Sequence, residues 1–501
     1  MNSKFFYNIK SLMAFEKVAI ANRGEIAKRI IVSCHELNLK TVLLYAKGDI
    51  QQEAYRMADE RVCIGDSEPI HSYLNISALI EGAKFKGAKA LHPGYGFLSE
   101  NSQFAKSCED NQIAFIGPCS KDISLFGNKM KARKIAQKAG IPVLASEKIS
   151  SKDKLKEKAE KVTYPLMVKA SCGGGGRGLR LVNNLEELEN IIPLVRQEAL
   201  QNFNKEDIFL EKYLNQAKHI EVQVFISAKG EIFILGDRDC SSQRRHQKII
   251  EEAPSLLPLK MKEKMRELCY KFCSLMNYRG AGTLEFLVQG DKFFFLEMNT
   301  RIQVEHTVTE MIYGVDLIKA QILTALGQAV FLDRDLKAQG HSIQCRICAE
   351  DPHQDFLPSI GPLLSCVWPL GQNIRVDTGF QQGDQISSFY DSLISKIVVW
   401  DTTRKGAMQK MKQALNQTII FGIFTNISFL NFLLSHEDFI KNQIQINSLE
   451  KIHKNWQTNS LPLQKELLES VFKELQSSFN RKGLKKRSFN PWSDFLTNKE
   501  E

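Results

Sequence analysis

Apolar positions along this chain recur with two periods, and their succession sets out a fold. Residues 18–22 (Val-Ala-Ile-Ala-Asn) form a short apolar run, residues 24–37 place apolar side chains at helical spacing, and residues 41–45 (Thr-Val-Leu-Leu-Tyr) form a second run. Strand, helix, strand in that order predicts a βαβ unit and therefore a parallel sheet. Ala90, Leu91 and the run at 114–118 predict later strands of that sheet, whose domain is expected to end near residue 117. A helix is predicted over 128–139, stopped by Gly140 and Pro142.

Two stretches further on carry chemistry as well as pattern. Residues 164–170 (Tyr-Pro-Leu-Met-Val-Lys-Ala) predict a strand bearing Lys169; Ser171, Cys172, the glycines at 173–176, Arg177 and Gly178 follow, and another strand is predicted over 179–182. Glycines without Cβ atoms let backbone N–H groups approach phosphate oxygens, and Lys169 and Arg177 add positive charge. A flexible hairpin has the same composition, and the run is neither a Walker A loop nor a Rossmann fingerprint. Downstream, residues 283–288 and 293–296 predict paired strands with a turn at 289–292, and Glu297, Asn299, Arg301 and Glu305 follow closely.

Glu297 and Asn299 share a strand face and offer the hard oxygen donors that suit Mg²⁺. A three-residue loop at 290–292 would set Glu285 directly opposite Glu297, whereas a two-residue loop would put them on opposite faces. Like charges opposed on a ladder cost stability unless a cation lies between them, which favours a metal over a solvated edge strand. Joined to such a hairpin, the glycine run reads as a mobile lid over a nucleotide.

With 501 residues, 43% hydrophobic and 25% charged, the chain can bury a sizeable core divided among several domains. No run of eighteen apolar residues occurs, so no membrane span is expected. Eleven cysteines lie scattered rather than in a disulfide framework, which suits a reducing, cytoplasmic setting. Cys345 and Cys348 have zinc-like spacing without a convincing second pair, and a buried strand is expected there. Anionic small substrates and a basic C-terminal run account for the net charge of +10, so no nucleic-acid partner is expected.

The lid from Lys169 to Gly178, the segment Glu211-Lys212-Tyr213-Leu214 and the strand from Glu297 to Arg301 resemble the ATP-grasp fold. More narrowly, the motif from His92 to Asn101 (His-Pro-Gly-Tyr-Gly-Phe-Leu-Ser-Glu-Asn), the stretch from Arg238 to Lys248, and Arg301-Ile302-Gln303-Val304-Glu305-His306 resemble biotin carboxylase, over about residues 15–449. The resemblance implies an α/β (α+β) fold class. Its parts are a Rossmann-like pre-ATP-grasp domain at 13–117, a linker helix at 118–142 and a mobile glycine-rich ATP-grasp lid at 143–213. A catalytic ATP-grasp and C-terminal biotin carboxylase domain at 214–458 follows, with extensions at 1–12 and 459–501.

The same resemblance implies roles. Lys129 and Lys169 match lysines that bind ATP phosphates, with Gly175 and Gly176 closing over them. Glu211, Lys212, Tyr213 and Leu214 match an adenine-contacting linker, and His219 and His246 further nucleotide contacts. Glu285, Glu297 and Asn299 match ligands of Mg²⁺ (or Mn²⁺) bound with ATP, and Lys248, Arg301, Gln303 and Val304 a bicarbonate pocket. Glu305 matches the general base and Arg346 the cation held against the biotin ureido oxygen, with Tyr95 and Phe97 nearby. His92, His219 and His246 are read as supporting contacts and not proton carriers.

The activity implied is carboxylation of biotin with ATP and bicarbonate, the biotin arriving on a separate carrier. Ala407-Met408-Gln409-Lys410-Met411 resembles a biotin-acceptor pattern only loosely, and its spacing fits an amphipathic helix toward Leu415. Expected partners are a biotin carboxyl carrier protein and carboxyltransferase subunits, with a homodimer as the assembly. The implied context is acetyl-CoA carboxylase in fatty acid biosynthesis or a related acyl-CoA carboxylase; propionyl-CoA, methylcrotonyl-CoA and pyruvate remain open as acceptors. A different ATP-grasp ligase would not need the motif from His92 to Asn101, and a non-catalytic subunit would have lost a metal ligand or Glu305, both of which stand here.

Two positions depart from the common pattern: Cys172 stands where a small residue is usual, and Thr307 where many members have proline. Residues 1–12 are expected to be an upstream start or short tail rather than a signal peptide. Leu463, Leu467, Leu468, Val471, Phe472, Leu475 and Phe479 fall on one helical face, followed by a basic run at 481–487. That tail would dock a carrier or transferase subunit, or cover the enzyme's own surface.

Overall fold

The structure is a computed structural model that describes residues 15–149, 155–170, 179–203, 207–330, 332 and 336–456. The expectations for residues 1–12, Cys172, Gly175, Gly176, Arg177 and the tail from 459 lie outside the described residues. The chain divides into two compact units, 1–451 and 452–501, of which the second contributes only the helical stretch 452–456 to the description.

The opening βαβ unit is present. β1 (Lys17–Ile20), β2 (Lys40–Ala46), β3 (Glu60–Gly65), β4 (Ala90–His92) and β5 (Ala114–Phe115) form a parallel sheet in the order β3-β2-β1-β4-β5. The first crossover helix, α1 (Gly24–Glu36), buries Ile26, Ala27, Ile30, Ile31 and Cys34, one stripe at helical spacing. The strand predicted over 114–118 pairs only as far as Phe115, because Gly117 and then Pro118, which lacks an N–H, follow. The helix predicted over 128–139 spans Lys129–Lys138, and Asn128 caps it by accepting from the Lys131 N–H.

A second, antiparallel sheet contains β6 (Ser146–Ile149), β7 (Leu166–Ala170), β8 (Leu179–Val182) and β9 (Ile208–Lys212) in the order β6-β9-β7-β8. The helices Leu155–Val162 and Leu185–Phe203 supply Val162, Leu188 and Val195 to a core with Leu166, Val168, Ile208 and Leu210. Each such fully buried aliphatic side chain contributes about 1.5–3 kcal/mol.

The third sheet holds most of the chemistry. It contains β10 (Lys218–Ile226), β11 (Ile232–Arg244), β12 (Gln247–Ala253), β13 (Gly280–Gln289), β14 (Lys292–Asn299) and β15 (His341–Cys348). Its order is β14-β13-β10-β11-β12-β15, continued by the strands Leu393–Asp401 and then Ile374–Thr378, all antiparallel. On β10 the period of two is clear: Ile220, Val222 and Val224 join a core with Met265, Leu268 and Phe272 of the helix Leu259–Ser274, while His219, Glu221 and Gln223 face the other way.

The β13–β14 hairpin corrects the register argument. Gln289 pairs with Lys292, so the loop is the two-residue Gly290-Asp291, which was expected to separate Glu285 from Glu297. A register shift intervenes: Phe286 pairs with Phe295 and Glu285 with Glu297, leaving Leu296 as the extra residue of a β-bulge that returns the two carboxylates to one face. Elsewhere Cys345 and Cys348 lie buried and unbridged in β15, as a strand. The amphipathic helix spans Arg404–Gln417 with Lys410 tied to the Trp400 carbonyl at 3.0 Å. Among the described residues no helix is long and apolar enough to cross a membrane.

Candidate active site

Four charged residues stand in one row across the third sheet. Arg238 of β11 pairs in register with Glu221 of β10, Glu221 with Glu285 of β13, and Glu285 with Glu297 of β14. Lys248 on β12 reaches over this row: its ammonium contacts Glu221 and lies 3.3 Å from Glu285 and 2.7 Å from Glu305. Burial alone would discharge Lys248, but these three carboxylates outweigh it and hold the ammonium well above its ordinary pKa. Arg238, fully buried, donates to Glu221 at 3.0 Å and to the Gln303 side-chain Oε1 at 2.6 Å.

Glu305 occupies the N-cap position of the helix His306–Tyr313 but makes no side-chain cap bond, which leaves its carboxylate to Lys248 and to Arg346, 3.1 Å away. Only 2% of Glu305 is exposed. Burial favours its protonated form, yet Lys248 and Arg346 hold the carboxyl below the usual range, so Glu305 is kept as a carboxylate. Arg346, on β15, is also bound by Glu251 at 2.6 Å through Nε. Arg301 donates to Glu100 at 2.9 Å and to the Ile302 carbonyl, while its Nη2 lies 3.4 Å from the Asn299 oxygen. Arg301, Gln303, Glu305, Lys248 and Arg346 thus converge, and the Val304 carbonyl of the same loop accepts from Lys396 at 3.2 Å.

Glu285, Glu297 and Asn299 also come together. Asn299 donates to Glu285 at 2.7 Å, Gln303 donates to it at 2.8 Å, and His219 lies 3.1 Å from it. Against burial, Lys248 and His219 keep the Glu285 carboxyl well below its ordinary range, while His219, despite its own burial, is pushed up to about 9 by Glu285. Two opposed carboxylates with an amide beside them form a hard-oxygen donor set, so the residues present fit Mg²⁺.

The residues expected to contact nucleotide take these positions. Lys129, first residue of its helix, lies 2.9 Å from Glu297. Lys169 on β7 binds Glu211, which also receives Arg133, so the Glu211 side chain is committed to a buried cluster. Lys212 turns to the Thr163 hydroxyl at 2.6 Å, and the Tyr213 hydroxyl accepts from Asn447 at 2.5 Å. Leu214 forms an apolar wall with Leu144, Ala217, Leu287, Phe294 and Ile446. His246 is exposed at the turn between β11 and β12. His92 is enclosed, accepts from the Gly94 N–H at 3.0 Å and is held neutral by burial at about 3. Phe97 stacks on Tyr73 with 4.9 Å between ring centres, as a core aromatic; Tyr95 is half-buried, 5.7 Å from Lys396.

Glu221, Glu251, Arg133 and Lys396 were not singled out from the sequence. For Glu221 a signal existed: His219, Glu221 and Gln223 alternate with apolar residues, the mark of a strand with one polar, enclosed face. For Lys396 there was none, since its partners are distant along the chain.

A lid sheet carrying Lys169 and a neighbouring sheet carrying opposed metal-type carboxylates define the protein as an ATP-grasp enzyme. The sequence matches family models for "Biotin carboxylase, N-terminal domain" over residues 14–123, "Carbamoyl-phosphate synthase L chain, ATP binding domain" over 128–332 and "Biotin carboxylase C-terminal domain" over 344–451. It is 46% identical over 443 residues to the biotin carboxylase of Haemophilus influenzae, covering 87% of this chain and 98% of that one. Solved structures agree: a biotin carboxylase complex with β,γ-ATP from Campylobacter jejuni superposes with TM-score 0.85 at 40% identity, covering 88% and 100% of the two chains. The biotin carboxylase domain dimer of Hydrogenobacter thermophilus 2-oxoglutarate carboxylase, with MgADP, ADP and bicarbonate, does so with TM-score 0.84 at 41% identity, covering 88% and 98%. The chain belongs to the biotin carboxylase family of ATP-dependent ligases.

Proposed function

We propose that this protein uses MgATP and bicarbonate to carboxylate biotin borne on a separate carrier protein, as the first half-reaction of an acetyl-CoA or related acyl-CoA carboxylase. The observation that carries the reading is Glu305, an enclosed carboxylate kept ionised between Lys248 at 2.7 Å and Arg346 at 3.1 Å. Bicarbonate is a weak nucleophile until it loses its proton, and a base fixed between two cations can take that proton while the cations hold the resulting charge. Arg301 and Lys248 orient the bicarbonate oxygens, Gln303 and the Val304 backbone complete the pocket, and the oxygen attacks the γ-phosphorus of ATP. Carboxyphosphate forms and ADP leaves.

Lys129 and Lys169 are assigned to the phosphates, with the wall around Leu214 enclosing the adenine. Glu285, Glu297 and Asn299 would hold Mg²⁺, which when bound would supply positive charge beside the transferring phosphoryl group. Carboxyphosphate then divides into CO₂ and phosphate; the phosphate takes the biotin N1′ proton, and that nitrogen bonds to CO₂. Arg346 stabilises the negative charge on the ureido oxygen meanwhile, with Tyr95 flanking the ring. Closure of the lid keeps water from the intermediate. A homodimer, a biotin carboxyl carrier protein and carboxyltransferase subunits complete the proposed assembly.

The test is ADP release by the purified protein with Mg²⁺, with and without bicarbonate and free biotin, beside Arg301→Ala. Release that needs bicarbonate, rises with biotin and falls at least about tenfold in the variant supports the reading. ATP turnover indifferent to both substrates overturns it in favour of another ATP-grasp ligase.

A further inference from the structure

Lys396 is a cation with no exposed surface, on the central residues of the strand Leu393–Asp401. In register it stands directly beside Arg346 of β15 on one side and Asp377 on the other. Two adjacent cations, one buried and one largely enclosed, repel, so this pair persists only because each has its own counter-charges. Arg346 has Glu251 and Glu305; Lys396 has Glu25 at 3.1 Å and Asp377 at 3.5 Å. The Lys396 ammonium also donates to the Val304 carbonyl at 3.2 Å, in the loop between Arg301 and Glu305, and lies 5.7 Å from the centre of the Tyr95 ring.

Glu25 comes from the first turn of α1, in the parallel-sheet domain. It reaches Lys396 because α1 begins unusually close to the strand Ile374–Thr378: a Cβ added to Gly379 would lie 2.3 Å from the Gly24 carbonyl carbon. Apart from the ion pair with Lys396, neither Glu25 oxygen has a partner among the described residues, so its carboxylate serves Lys396 and little else. Burial pushes Glu25 up to about 7 and Lys396 opposes that rise, so its counter-charge is complete only above neutral pH, and the arrangement is costly to keep.

We propose that Lys396 is a positioning residue: held by Glu25 and Asp377, its ammonium fixes the Val304 carbonyl and so aims Gln303 and Glu305 at bicarbonate. The inference rests on the proposed function of the same site. It adds a physical link from the α1 domain to the reacting loop. Displacement of a reacting group by an ångström costs about a hundredfold in rate, and the Lys396–Val304 bond is the tie that holds this loop to the strand Leu393–Asp401.

The experiment compares wild type, Lys396→Met and Glu25→Gln as full-length proteins, measuring bicarbonate- and biotin-dependent ADP release, ATP affinity and thermal midpoint. The expected result for Lys396→Met is a fall of about a hundredfold in kcat/KM for bicarbonate with ATP affinity within about twofold of wild type. Glu25→Gln, which keeps shape and removes the counter-charge, shows a smaller fall of the same kind. Unchanged bicarbonate kinetics in Lys396→Met overturn the proposal, as does an equal loss of ATP affinity, which a merely structural role would cause. If Lys396→Met does not fold, Glu25→Gln decides by the same two readouts. Wild type that ignores bicarbonate and biotin would instead overturn the function proposed above, so the two failures are distinct.

Discussion

Replacing Lys248 by methionine should move the acid limb of the pH profile as well as slow the reaction. The ammonium touches three enclosed carboxylates, Glu221, Glu285 and Glu305, the last two at 3.3 and 2.7 Å. A unit charge pair at those separations is worth about 5–6 kcal/mol gross at an effective dielectric of 20. Water entry and relaxation in the variant offset most of that. If a third survives, about 2 kcal/mol, the Glu305 carboxyl rises by about 1.5 pH units.

The sign follows from the wild-type direction. Glu305 is depressed, so its base form is present at neutral pH and is lost only as pH falls through a value below the usual carboxylate range. Without Lys248 that limb shifts upward by about 1–2 pH units, on top of a fall in kcat of about 10²–10⁴-fold. The assay is kcat/KM for bicarbonate between pH 5 and 9, with free rather than total bicarbonate held constant. A variant that loses activity with its acid limb unmoved would refute the view that Lys248 keeps the base ionised.

Two other outcomes are expected. Glu297→Gln should raise the Mg²⁺ concentration for half-maximal activity by at least about tenfold with little change in the bicarbonate KM; an unchanged Mg²⁺ requirement in a titration of ADP release would remove Glu297 from the metal set. Away from the site, His341 at 2.9 Å and Arg404 at 2.6 Å bind Glu252. Burial would raise this carboxyl, but the two partners bring it down to about 2. Its stabilising contribution is therefore present above the unfolded value of about 4.3 and lost as pH falls toward 2, about 3 kcal/mol in all. Glu252→Gln should accordingly unfold at lower urea at pH 7, with the gap from wild type narrowing below about pH 4.3; a gap that is constant with pH would contradict the assignment.

The sequence carried what is local. The opening βαβ unit, the helix after Asn128, the strands flanking the glycine run and the carboxylates of the β13–β14 hairpin all declare themselves within windows of a dozen residues. The bulge at Leu296 does not, because an apolar residue in an apolar run looks the same whether or not it is paired. For that reason the loop length pointed one way and the final register the other. Arg238 and Glu251 gain their meaning from strands that meet only when the sheet is assembled, and Lys396 reaches a carbonyl 92 residues away. Such contacts are fixed by topology, to which no window of sequence gives access.

The same charges suggest how the site could hold its cations ready. Lys129 lies on Glu297, Lys169 on Glu211, and Lys248 and Arg346 on Glu305. Burial works against the charge of Lys129 and Lys248, and their carboxylate partners outweigh it and hold both ammoniums above their ordinary range. Under the proposed function, substrate binding is then an exchange of partners. A phosphate that takes Lys129 releases Glu297 for the cation accompanying the nucleotide, and bicarbonate that takes Lys248 loosens the hold on Glu305 and makes it a stronger base. The first exchange couples nucleotide and metal: whichever binds first clears the way for the other, and by thermodynamic reciprocity each must raise the other's affinity by the same factor. The second confines the strengthening of the base to the moment when bicarbonate is in place, which is where an ATP-cleaving enzyme needs its proton acceptor and nowhere else.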